Sequence, residues 1–413
     1  MKPRPDFLEE NSPQGIEVFQ LTEGEIPWSH LYMEAQVFTP DSRFLLLHRA
    51  ATAHGGNRKD PAHQYWLCDL SDRGKLSQLT EETGAWAPSV SPDGKWVYYF
   101  VDRSQPAGGT IELKRVKIDG TNRETLLFLE NIPGTKKIAS RLYPLSTISS
   151  DGERLAISAF LGDGKTQNPF FGLLIFNLVK GTCELILEGP TWCNLHTQYC
   201  RSLKREESHD LLLQENHGCV IQPDGTCTLL VGEPGADIHL LRDDGTNFRT
   251  MPWGRDGVEH CQGHQCWRGR SCWAITSTTN YRPHDSTCRK EYHLIESQAC
   301  PDKGHLGLKT PGGCRNILSR DIPQPGFWHF ATDISGQRFI GDVHRPSQSP
   351  GLCLALLGRP GIDPLLEYTY LFSTRTSLSK NAHPHPFLSP DGRLGFFNSD
   401  ESGVVHAYLI ILP

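Results

Sequence analysis

Several features are missing from this chain, and each absence removes a class of function. It has no run of about 18 or more apolar residues, which excludes an ordinary transmembrane helix, so no membrane partner is expected. The opening residues, MKPRPDFLEENSPQG, lack the apolar stretch of a signal peptide, and a cytoplasmic protein is expected. Basic residues are not in excess: 41 Lys and Arg stand against 47 Asp and Glu, a net charge of −6. No clustered basic footprint is visible, so no nucleic-acid partner is expected. The GxSxG elbow, the P-loop, the HExxH helix and the dinucleotide fingerprint are all absent. Serine-hydrolase, nucleotide and zincin chemistries therefore lose their usual anchors. There is no CxxC pair either. The thirteen cysteines are odd in number and scattered, which fits free thiols in a reducing compartment better than a disulfide framework.

Helical periodicity of any length is scarce, and what replaces it is a repeat. TPDSRFLLL (39–47), SPDGKWVYYF (91–100), SSDGERLAIS (149–158) and SPDGRLGFF (389–397) share a turn of Pro, Asp, Ser and Gly followed by a short β-forming run. DISGQRFIG (333–341) is a weaker copy, while REESHDLLLQ (205–214) and CWRGRSCWAI (266–275) stand where two more are expected. The seven positions recur at roughly 50 to 65 residues, near the upper end of propeller-blade periods. Each unit reads as strand, turn, strand. Seven copies of such a unit predict an all-β, seven-bladed β-propeller forming a single domain over residues 1–413. The polar, Cys-rich stretch 280–325 is longer than an ordinary interblade loop and reads as a long insertion or a lid.

Eighteen histidines are many for this length. In KNAHPHPFLSPDG (380–392), His383 and His385 stand two apart at the expected start of a strand, where both side chains would project from one face. His329, in GFWHF one blade earlier, could add a third imidazole, and three neutral nitrogen donors suit a divalent transition metal. The bland readings are loop histidines at 383 and 385 and a buried core histidine between Trp328 and Phe330. GVEHCQGHQCW carries His260 and His264, HLYM carries His30, and NLHTQYC and QENHG carry His196 and His217. A histidine outside the metal set is a natural proton acceptor near neutral pH.

These segments, in this order, resemble the oligogalacturonate lyases, seven-bladed, manganese-dependent enzymes of pectin breakdown in the bacterial cytoplasm. The resemblance rests on HLYM at 30–33, SQLT with its following turn, WHF at 328–330 and, most specifically, HPHPFLSPDG at 383–392. It implies that His329, His383 and His385 ligate a divalent metal, with manganese the expected ion, and that His264 is the general base. It also implies β-elimination on an anionic, uronic-acid-containing oligosaccharide, leaving a 4,5-unsaturated end. His30, His217, His260, Arg375 and Lys380 are the expected substrate-binding residues. Three departures stand close to the chemistry: Lys380 occupies the place of the family's fourth ligand, a glutamine; Asp237 occupies that of an arginine; and ENHG replaces CHEG, displacing His217 by one. A lyase acting on another uronide, and a non-catalytic propeller that binds saccharide or protein, are the alternatives. A homodimer is compatible with the sequence.

Overall fold

A computed structural model describes residues 1–106, 108–135, 137–254, 261, 263–279, 292–298, 315–319, 326–344, 348–362, 366–379 and 382–413. Seven antiparallel sheets form a seven-bladed β-propeller, and in six of them four strands follow sequence order from the axis outward. The innermost strands are Ser29–His30, Ala85–Val90, Arg141–Ile148, Gln198–Tyr199, Gln265–Trp267, Phe327–Thr332 and Phe387–Leu388. Blade seven is closed by the start of the chain: Glu17–Gln20 pairs with His406–Ile411, and Lys2–Pro3 adds a fifth strand outside it. Among the described residues the longest helix is the single turn Arg205–Ser208, and no helix is long and apolar enough to cross a membrane.

The repeated turn has one construction. At 91–96, Ser91 Oγ donates to Asp93 Oδ1 (2.6 Å), which also accepts the Lys95 N–H (3.1 Å), while the Trp96 N–H donates to Ser91 Oγ (2.9 Å). The same three bonds recur from Ser149 and from Ser389. Asx-type bonding of this kind is why Ser and Asp are chosen there. Gly94 takes φ +70°, a left-handed conformation that costs glycine nothing, whereas Ser42 adopts φ +60° at the matching place of blade one. Each turn joins the first and second strands of a blade, so all of them gather at one end of the propeller.

Between the blades the apolar faces interlock. Phe100 of blade two and Phe176 of blade three are fully buried in a T-shaped pair with centroids 5.2 Å apart. Burying a side chain of this size contributes on the order of 2 kcal/mol. Blades five and six are also joined by a buried cation: Arg268 pairs with Glu296, and its Nε donates to Gly336 O in the next blade's turn (2.9 Å). Blade four carries an extra hairpin, Val220–Ile221 with Cys227–Leu229, between its second and third strands. The strands Tyr292–Ser297 and Arg315–Ser319 complete blade five and fall within the 280–325 stretch; most of its remainder lies outside the described residues. Among the described residues no two cysteines are joined by a disulfide.

Candidate metal centre

Every innermost strand enters from the end of the channel opposite the Ser-Pro-Asp-Gly turns. Residues just before these strands, or at their first positions, therefore converge there however far apart they lie in sequence. His264 precedes the strand of blade five, His329 sits near the start of that of blade six, and His383 and His385 lead into that of blade seven. The HxH pair is not itself in a strand, as its spacing suggested. The strand begins only at Phe387, because Pro384 and Pro386 have no N–H to give to a ladder. His385 adopts φ +43°, an uncommon backbone for a non-glycine residue, and the two rings stack at 24° with centroids 5.4 Å apart.

One nitrogen from each of His329, His383 and His385 lies within 4.8 Å of the others. His329 is held from behind: its Nδ1 donates to Asp342 Oδ2 (3.0 Å) and its backbone N–H donates to Asp342 Oδ1 (2.6 Å). That fixes the tautomer and leaves Nε2 as a lone-pair donor. His344 Nε2 donates to the same carboxylate (3.0 Å). Burial alone would raise the Asp342 carboxyl, but these two imidazoles hold it well below the usual carboxylate range. The Nδ1 atoms of His383 and His385 are buried without a hydrogen-bond partner. Burial pushes both rings toward the neutral form. Three neutral imidazoles, one braced by a carboxylate and two with orphaned nitrogens, fit a divalent transition metal.

His264 stands beside this set, its ring centroid 4.7 Å from that of His329. Its buried Nδ1 also lacks a partner, and burial followed by the nearness of His329 lowers its proton affinity well below the ordinary value. It is a neutral group able to accept a proton. More residues gather here, of which His196 stands out in the sequence and Asp342, His344 and His54 do not. Asp342 and His344 lie on the second strand of blade six or just after it, where nothing but the strand pairing brings them back to His329. His54 stacks on Tyr32 (4.0 Å between centroids) and approaches His385 (5.4 Å). His196, at φ +45°, is hydrogen-bonded through Nδ1 to the buried Glu34 Oε2 (2.9 Å). Trp328, 39 % exposed, lies flat beside His329 and against His344.

The remaining expected site residues are not gathered here. His30 is fully buried, with Nδ1 on Leu31 O (2.7 Å) and Nε2 on Pro384 O (3.3 Å), so it braces the HPHP segment and does not face the channel. Arg375 is paired with Asp6 (3.0 Å) and lies over the Phe7 ring, holding the N-terminal segment. His217 sits on blade four, 2.7 Å from Asp237 Oδ2. His260 and Lys380 lie outside the described residues. A cleft of about 650 Å³ opens past His54 and is lined by Arg49, Arg141, Trp86, Tyr143 and Phe160. Arg49 lies 4.9 Å from the rings of both Trp28 and Trp66, its buried Nε without a partner.

No protein-family model matches the sequence, and no curated protein matches it. Solved structures do. An oligogalacturonate lyase from Vibrio parahaemolyticus superposes with a TM-score of 0.68 at 18 % identity, over 100 % of this chain and 98 % of that one. An oligogalacturonate lyase in complex with manganese gives 0.68 at 19 %, over 100 % and 97 %. A hydrazine synthase from Kuenenia stuttgartiensis gives 0.50 at 11 %, over 96 % and 98 %. At these identities the likeness establishes the seven-bladed fold, and the fold alone does not select a chemistry.

Proposed function

We propose that this chain is a divalent-metal-dependent lyase that cleaves uronic-acid-containing oligosaccharides by β-elimination. The observation that carries the reading is the convergence of His329, His383 and His385, with Asp342 behind one of them and His264, its Nδ1 without a hydrogen-bond partner, alongside. The two similar lyase structures, one of them with manganese, support both the reaction class and manganese as the ion.

The C5 proton of a uronide is weakly acidic because its removal adds charge beside a carboxylate. His329, His383 and His385 would hold a divalent cation, which would supply Lewis-acid relief of that charge. His264, neutral and with a free ring nitrogen, takes the C5 proton; a positioned base of this kind contributes roughly 100- to 10,000-fold. The C5–H electron pair forms the 4,5-double bond, and the C4–O bond breaks with its electrons on the departing oxygen. Arg49 and Arg141 in the cleft offer charge-assisted hydrogen bonds to carboxylates of neighbouring sugars. Trp328 offers an exposed ring face at the channel mouth. A uronide other than galacturonate is the second reading, because Asp237, held by His217, stands where the sequence resemblance carries an arginine.

The test is ultraviolet absorbance of the conjugated product from digalacturonate, with and without manganese. A metal-dependent rise supports the reading, and no rise from any uronide tried, with metal bound, removes it.

A further inference from the structure

We infer that a second divalent cation binds in blade four, held by Glu215, Asp237 and His239 with His217 as a fourth donor. The site shares no residue with the channel set and does not depend on the lyase reading. Glu215 and Asp237 are register partners on adjacent strands, and Asp237 and His239 are two apart on one strand, so all three side chains share a face. One ligating atom from each of the three lies within 4.8 Å of the others. Glu215 Oε2 is 3.1 Å from His239 Nε2 and 3.6 Å from His217 Nε2, and His217 Nε2 is 2.7 Å from Asp237 Oδ2. Donors at about 2.0 to 2.2 Å from a tetrahedral ion lie roughly 3.3 to 3.6 Å apart, so only small side-chain movements separate this cluster from a coordination shell.

The outer partners are those a metal site requires. Thr250 Oγ1 lies 3.1 Å from His239 Nδ1, so that nitrogen could carry the ring proton when Nε2, now 3.1 Å from Glu215 Oε2, takes an ion. Thr191 Oγ1 donates to Glu215 Oε1 (2.6 Å), so that Oε2 is the oxygen turned to the two imidazoles. The rings of Phe248 and Trp192 stand 4.8 and 5.6 Å from that of His239 and wall the site. Among the described residues the partners of Glu215 are one hydroxyl and two imidazoles, so its charge is not met by lysine or arginine. Two carboxylates and two imidazoles suit an ion from the manganese-to-zinc row. Such an ion would pin the root of the Val220–Leu229 hairpin, whose Ile221 and Cys227 line the cleft.

The experiment is metal content by mass spectrometry after chelation, reloading with manganese or zinc, and desalting. The wild-type chain is expected to hold two ions. The double variant His383→Ala, His385→Ala is expected to hold one, and adding Asp237→Asn or, separately, the near-isosteric Glu215→Gln is expected to remove it. Circular dichroism confirms folding, and the two blade-four substitutions serve as independent routes should either unfold. One ion in the wild type and none in the double variant would overturn the inference. So would an ion retained by the double variant after both blade-four substitutions.

Discussion

The Nδ1 of His329 and the backbone N–H of His329 both donate to Asp342, over 3.0 and 2.6 Å, one to each carboxylate oxygen. One carboxylate thus fixes the ring's tautomer, its rotation and the position of its strand. Asp342 is on the neighbouring strand, fully buried, so the support is rigid. His329 is presented to His383 and His385 as a pre-oriented lone pair.

Replacing Asp342 with Asn offers the ring an amide that can donate to Nδ1 and turn the tautomer round. Metal affinity is expected to fall about 10- to 100-fold, the usual cost of losing such a partner. Calorimetric titration with manganese measures it, and unchanged affinity would show that Asp342 does not orient a ligand.

His264 and the imidazole set are separable by their readouts. His264→Ala is expected to lose roughly 100- to 10,000-fold in turnover while binding metal as before. His383→Ala is expected to lose metal and turnover together. Comparable turnover in the first variant would remove His264 as the base, and full metal content in the second would remove His383 as a ligand.

The fold was legible because the repeat is written in turn chemistry. Ser, Asp and Gly at fixed offsets do the same hydrogen-bonding work in blades two, three and seven, so the period survives where the strands diverge. Of the candidate site, the three imidazoles and His264 were legible, because the ends of innermost strands in a propeller must meet. Asp342, His344 and His54 were not, since only strand register and the packing of a loop bring them in. His30 and Arg375 show the opposite failure. Nearness to a motif in sequence does not place a polar residue on the substrate: His30 lies against the Leu31 and Pro384 carbonyls, and Arg375 ties down the N-terminal segment. The strand expected under the HxH pair was replaced by irregular backbone because prolines alternate with the histidines.

His209 supplies a test of pH dependence away from the channel. Its Nδ1 is 2.7 Å from Asp243 and its Nε2 is 2.9 Å from Asp151, so a protonated ring joins a turn of blade three to one of blade four. The hydrogen bond to Asp243 raises its proton affinity above the ordinary value. A raised folded-state value stabilises fully below the unfolded value, near pH ~6.5, and the contribution fades as pH rises through the folded value. The loss in unfolding free energy for His209→Gln is therefore expected to be about 1 to 3 kcal/mol near pH 6 and smaller near pH 9. Denaturant titrations at the two pH values check this, and an equal loss at both would contradict it.

Blade seven depends on residues from both ends of the sequence. Removing residues 1–20 leaves the His406–Ile411 strand without its outer neighbour and uncovers Tyr408 and Phe397, against which Phe7 packs at 5.2 and 5.7 Å. The truncated chain is expected to lose cooperative unfolding, with earlier proteolysis in blade seven. A melting temperature equal to that of the full chain would show that the ring does not need this closure.

The central claim is that the channel imidazoles and His264 together eliminate across a uronide C4–O bond. The most direct measurement is the ultraviolet absorbance of the unsaturated product, followed in chelated protein before and after manganese is returned, with digalacturonate as the first substrate and other uronides after it. The account predicts no signal without the ion, a rise on its return, and none in His264→Ala with the ion bound. A rise that is indifferent to chelation, or that survives in His264→Ala, would contradict it.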